Sequence, residues 1–98
     1  MLTSIKNSGG VRTLTFNRPE ALNAFNDAMF DAVAADLLAA SADDSVKVLV
    51  ITGAGRAFSA GMDLAAPRKG QPAKYGFPGM FEAIVEFPKP IILAINGL

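Results

Sequence analysis

The sequence predicts a layered α/β protein, and three observations carry that prediction. Two short β-rich runs flank Gly9-Gly10; a stretch with apolar residues at helical spacing follows them; and two strongly apolar runs, "VKVLVIT" and "IILAI", come later with helix or loop ahead of each. The predicted order is β-β-α-β-α-α-β.

Taken in order, "LTSIKNS" and "VRTLTFN" read as a hairpin turning at Gly9-Gly10. "RPEALNAF" is a connection, because Pro19 disfavours helix at Arg18. A helix is expected from about 26 to 42: Phe30, Val33, Ala34, Leu37 and Leu38 recur at its spacing, with Asp27, Asp31 and Asp36 mostly on the other side. Asn26 can cap it and Asp27 suits its positive end. From Val48 to Ile51 both alternate sets are apolar, the pattern of a parallel strand covered on both faces. A short helix is expected to begin near Ala60 to Asp63, then a Pro- and Gly-rich loop, "APRKGQPAKYGFPG". "MFEAIVEF" reads as a short amphipathic helix ended by Pro88 and Pro90, and "IILAING" as a second buried strand. A strand of that kind needs cover on both faces, so the chain is expected to be a truncated part of a larger protein.

Composition narrows the function. The 98 residues hold at most one ordinary domain, and 51% hydrophobic content supports a core. Nine Lys and Arg balance nine Asp and Glu, which gives no sign of a nucleic-acid or anionic-membrane partner. The start has no secretory pattern and no run approaches a membrane span; with no cysteine as well, a cytoplasmic address is expected. There is no histidine, so the chain alone cannot build a Ser-His-Asp or Cys-His centre or a His-ligated zinc site. Ser59, in "AFSAG", is therefore a poor nucleophile, and Ala57 stands where the serine-elbow motif has its first glycine.

The informative stretch is "GAGRAFSAGMDL", Gly53 to Leu64. A dinucleotide loop would need G-x-G-x-x-G, but Phe58 occupies the third glycine position, and no Gly-Lys-Ser/Thr is present for a P-loop. The backbone offers another chemistry. The first N–H groups of a helix have no internal partner, and small neighbours such as Ser59-Ala60-Gly61 let a ligand approach them. Such donors suit an oxygen that gains charge, as when a thioester carbonyl becomes an enolate. The alternative is a tight helix start in which Gly61 only relieves crowding.

"FNRPEALNAF", "VLVITGAGRAFSAGMDL" and "FPKPIILAING" together resemble the enoyl-CoA hydratase/isomerase, or crotonase, family, in the right order over nearly the whole chain. The resemblance implies a ClpP/crotonase-like spiral of ββα units, with residues 1–98 as the N-terminal part of one such domain, incomplete at its C-terminus. It implies an acyl-CoA thioester substrate, with coenzyme A entering as part of that substrate. No permanently bound cofactor, metal, nucleic acid or membrane is expected, and the full-length protein is expected to form homo-trimers or hexamers. By position, the backbone N–H of Met62 is the first oxyanion donor and its side chain helps line the acyl pocket. Ala60 lies against the adenine end of coenzyme A; Gly61, Asp63 and Leu64 continue that edge; Ala24 belongs to the early loop along the CoA moiety. Asp63 reads first as a helix-start acid. Asn96-Gly97 match the pair before the family's second glycine-rich loop, which supplies the other donor and lies beyond this chain, as do the acid/base carboxylates. Glu82 and Glu86 match no catalytic position and read as solvated helix charges. Glu20 stands where relatives often carry a base, for which Arg18 or the Arg68-Lys69-Lys74 group could compensate.

Hydration of a 2-enoyl-CoA is the default reaction implied, with isomerisation and thioester hydrolysis as variants of the same oxyanion chemistry. Two readings compete with it: a non-catalytic CoA-binding or interaction module, and a small nucleotide-binding domain using Gly53 and Gly55.

Overall fold

The structure, a computed structural model, describes residues 1–61 and 74–97. Strand β1 (Thr3–Ser8) pairs antiparallel with β2 (Val11–Phe16) across the Gly9-Gly10 turn, as the hairpin pattern predicts. Helix α1 (Asp27–Ala42) leads to β3 (Val48–Gly53), which runs parallel to β2 with Leu14 opposite Ile51 and Phe16 opposite Gly53. Helix α2 (Gly76–Val85) leads to β4 (Ile91–Leu93), parallel to β3. The four strands lie in sequence order in one sheet. Ala60 and Gly61 are not helical, and the remainder of the short helix expected near Asp63 lies outside the described residues.

α1 starts where its cap residue dictates. Asn26 Oδ1 accepts a 2.9 Å hydrogen bond from the Met29 N–H, satisfying one of the helix's unpaired donors. The helix buries Met29, Phe30, Val33, Ala34, Leu37 and Ala40, which join Leu14, Phe16, Leu49 and Ile51 of the sheet in one core. Each large side chain fully removed from water there stabilises the fold by roughly 1.5–3 kcal/mol. Leu38, expected on this stripe, is 45% exposed. It sits one step around the helix from Leu37, past the edge of the sheet-facing face, and Met29 fills the stripe one turn before Val33 instead. At the other end Lys89 Nζ donates to the carbonyls of Ala40 and Asp43 at 2.7 and 2.6 Å, placing a cation at the negative end of α1. Arg12 of β2 adds a 2.9 Å ion pair to Asp43.

α2 begins earlier than predicted. The sequence placed "GFPG" in the loop because of its Pro and Gly, yet the helix starts at Gly76 and takes Pro78 into its first turn. Proline is tolerated there because the first-turn N–H groups have no helical acceptor. Asp31 of α1 supplies the cap: its carboxylate accepts from the N–H groups of Lys74, Tyr75 and Gly76 at 2.9, 2.8 and 2.7 Å. Asp31, read from spacing as part of the solvated face, is thus half-buried and holds two helices together.

Both apolar strands exist, but neither is covered twice among the described residues. In β3 only the alternate set Leu49, Ile51 and Gly53 is buried, while Val48, Val50 and Thr52 are half-buried. In β4, Ile92 and Leu93 are more than half exposed. The continuous apolar pattern correctly marked parallel strands. α1 covers one face of the sheet, and no described element lies over the other.

Candidate active site

The site is where two chain segments are laced together. Residues 22–25 run between the 3-10 turn Pro19–Ala21 and α1; residues 59–61 follow the loop after β3. Three hydrogen bonds join them, and a fourth braces the second segment internally. Ala60 N–H donates to the Leu22 carbonyl at 2.9 Å, and Phe25 N–H to the Gly61 carbonyl at 2.6 Å. Ser59 Oγ donates to the Asn23 carbonyl at 2.8 Å and accepts from the Gly61 N–H at 3.0 Å. Ser59 is therefore a strut, which agrees with its rejection as a nucleophile.

The loop between β3 and Ser59 is held from both sides by asparagines. Asn23 is fully buried with a left-handed backbone, φ 57°. Its Nδ2 donates to the Ala54 and Ala57 carbonyls at 2.9 and 2.8 Å, and its Oδ1 accepts from the Arg18 N–H at 2.7 Å. From the opposite side Asn96 Nδ2 donates to the carbonyls of Gly53 and Gly55, and its Oδ1 accepts from the Gly53 N–H at 3.1 Å. Phe58 N–H donates to the Asn96 carbonyl at 2.9 Å. Sequence reasoning assigned neither side chain this role. The one local signal at Asn23 is the tolerance of asparagine for left-handed backbone.

This packing explains the small residues. A Cβ on Gly53 would stand 2.5 Å from the Phe58 carbonyl oxygen, and one on Gly97 would run into the Arg56 carbonyl. Both glycines permit backbone to touch backbone. Gly61 differs: a Cβ there would meet no described atom within 4 Å, but its φ is +93°. Its conformation favours glycine, and no crowding calls for one among the described residues. The phosphate-loop reading loses one of its two proposed donors, since the Gly53 N–H is turned to Asn96.

Beside Gly61 opens an apolar cavity of about 240 Å³, lined by Phe25, Phe30, Gly61, Phe77 and Met80. α1 supplies Phe30, α2 supplies Phe77 and Met80, and the 22–25 segment supplies Phe25. Among the described residues none of the lining groups titrates, so these side chains can orient an apolar group but do not themselves move a proton. The nearest charged anchor is Asp31. Burial pushes its carboxyl up, but the Gly76, Tyr75 and Lys74 N–H groups and the Lys74 charge outweigh that and hold it below its ordinary value. It serves α2 and does not line the cavity.

Of the positions singled out from sequence, Ala24, Ala60 and Gly61 come together here; Met62, Asp63 and Leu64 lie outside the described residues. The Ala60 N–H is committed to Leu22, while its carbonyl has no partner among the described residues. The Ala24 carbonyl is taken by Arg18 Nη1 at 2.9 Å. Arg68 and Lys69 also lie outside the described residues, and Lys74 is exposed over the Tyr75 ring. Glu20, Glu82 and Glu86 are exposed.

Comparison with known proteins agrees with this geometry. The profile of the enoyl-CoA hydratase/isomerase family matches residues 6–98. The chain is 41% identical over 98 residues to the 1,2-epoxyphenylacetyl-CoA isomerase of Escherichia coli K12, an alignment covering 91% of this chain and 37% of that protein. It is 38% identical over 95 residues to a probable peroxisomal enoyl-CoA hydratase of Arabidopsis thaliana, covering 94% and 36%. A crystal structure of an enoyl-CoA hydratase from Mycobacterium marinum superposes with a TM-score of 0.91 at 48% identity, covering 97% of this chain and 48% of that one. The chain thus belongs to the enoyl-CoA hydratase/isomerase family and has a crotonase-like α/β fold. It spans between about a third and a half of the length of these relatives.

Proposed function

We propose that this chain is the N-terminal part of a crotonase-like domain that binds an acyl-CoA thioester and stabilises its enolate, with hydration of a 2-enoyl-CoA as the reaction. Support for the reading comes from one arrangement: Gly61 is fixed by the 22–25 segment at the mouth of a wholly apolar cavity. The N–H groups of Ala60 and Gly61 already serve Leu22 and Ser59, so neither is left for a substrate. The family resemblance gives the oxyanion donor as the next amide, that of Met62, and the commitment of the two preceding N–H groups is compatible with it; the acyl group lies in the cavity and the Ala60 carbonyl toward the adenine. Ala24, Asp63 and Leu64 complete the coenzyme A edge. The second donor and the acid/base carboxylates come from the rest of the domain, coenzyme A is carried by the substrate, and the full-length protein assembles as trimers or hexamers in the cytoplasm.

Crotonyl-CoA tests the assignment through loss of its conjugated absorbance. The full-length protein is expected to turn it over, and the 98-residue chain alone is expected not to, because it lacks half the oxyanion site. In the full-length protein Met62→Pro deletes the proposed donor without altering a charge. Its kcat should fall by ~10²–10³-fold with folding confirmed by circular dichroism. An unchanged kcat removes Met62 from the mechanism.

A second reading, a non-catalytic interaction module, is favoured by the uncovered edge: Ile92, Leu93 and Ile95 are 53%, 54% and 72% exposed. Turnover by the full-length protein decides against it.

A further inference from the structure

A row of aromatic rings passes along the cavity. Phe16 meets Phe25 edge-on with centroids 5.0 Å apart, Phe25 meets Phe30 at 5.1 Å, and Phe30 meets Phe77 edge-on at 5.6 Å. The first three rings are 6–7% exposed, whereas Phe77 is 48% exposed. The row runs from the core outward to Phe81, which stacks on Phe77 at 5.9 Å, and three of its rings line the cavity with Met80. A volume of about 240 Å³ falls below the ~300–1,000 Å³ of pockets that enclose a drug-sized ligand and suits one small group. None of its lining side chains among the described residues offers a hydrogen bond or a charge. A carboxylate entering it would lose its water and find no partner. A planar ring entering it would continue the alternation of ring edges and faces.

We infer that the cavity selects acyl-CoAs whose acyl group ends in an apolar ring, and rejects those ending in a carboxylate, with Phe77 as the specificity-determining side chain. The inference rests on the acyl-CoA reading above. It concerns which acyl group enters and is independent of the reaction that follows.

The test uses saturated, unreactive ligands with the full-length protein: 3-phenylpropanoyl-CoA, hexanoyl-CoA, adipoyl-CoA and free coenzyme A, each titrated by calorimetry. 3-Phenylpropanoyl-CoA should bind about 5-fold more tightly than hexanoyl-CoA, and adipoyl-CoA roughly 100-fold more weakly than hexanoyl-CoA. Phe77→Ala, at a half-exposed position that tolerates truncation, should bring the phenyl and hexanoyl ligands to parity. Met80→Arg should recover most of the adipoyl-CoA affinity by giving the carboxylate a partner. Adipoyl-CoA binding as tightly as hexanoyl-CoA in the unsubstituted protein overturns the inference, as does a phenyl preference untouched by Phe77→Ala. Binding of all three no tighter than free coenzyme A also overturns it but leaves a CoA site standing. Failure of every ligand, free coenzyme A included, overturns the proposed function and this inference together.

Discussion

Asn23 carries three hydrogen bonds with one side chain while its own backbone sits in the left-handed region at φ 57°. Removing the side chain orphans the Arg18 N–H and the Ala54 and Ala57 carbonyls, each an unsatisfied group costing about 1–3 kcal/mol if water stays out. Asn23→Ala is expected to destabilise the protein by about 3 kcal/mol in urea unfolding, and Asn23→Gly by about 1 kcal/mol less, because glycine accepts that backbone without strain. Equal losses would show that the backbone at this position is unstrained. The same logic applies at Gly61, where φ is +93° and no described atom crowds the site. Gly61→Ala should cost ~1–2 kcal/mol through conformation alone and should shift the turn that presents the following amide. Ser59 shows how a residue with an apparent chemical signature can be structural: its hydroxyl both donates to Asn23 and accepts from Gly61.

Helix α2 depends on a cap borrowed from α1. The Asp31 carboxylate takes three N–H groups at the start of α2, and its pKa is depressed. A depressed carboxyl contributes stability above its unfolded pKa of about 3.9 and loses it as pH falls through the lower folded value. Amide exchange in α2 should therefore quicken below about pH 4 ahead of exchange in α1, and Asp31→Ala should produce the same selective loosening at neutral pH, at a cost of ~1–2 kcal/mol. Exchange that quickens uniformly would contradict a local cap. This cap also marks what the sequence made legible. The hairpin, α1 with its Asn26 cap, and the two parallel strands are written in local spacing. The start of α2 is not, because Gly76, Pro78 and Gly79 oppose helix locally and are overruled by a carboxylate 45 residues earlier in the chain. The clamps on the Gly53–Ser59 loop were hidden for the same reason: Asn23 and Asn96 are more than 70 residues apart and meet the loop only in three dimensions. The loop's small residues signalled that something approaches closely. They could not say that the approaching group is the protein's own backbone.

At the scale of the molecule, the sheet and α1 form a platform with one well-filled face, and the proposed site lies at its end where residues 22–25 and 59–61 meet the aromatic cavity. The Gly61 carbonyl is held by the Phe25 N–H, and apolar side chains line the cavity beside it. In the proposed function, a backbone amide immediately after Gly61 draws electrons onto the thioester oxygen of a bound acyl-CoA. The most direct measurement is isotope-edited infrared difference spectroscopy of an enoyl-CoA labelled with carbon-13 at the thioester carbonyl, bound to the full-length protein and to Met62→Pro. The account predicts a carbonyl stretch shifted to lower frequency on binding, with much of that shift absent in the variant; the same frequency in both complexes would contradict it.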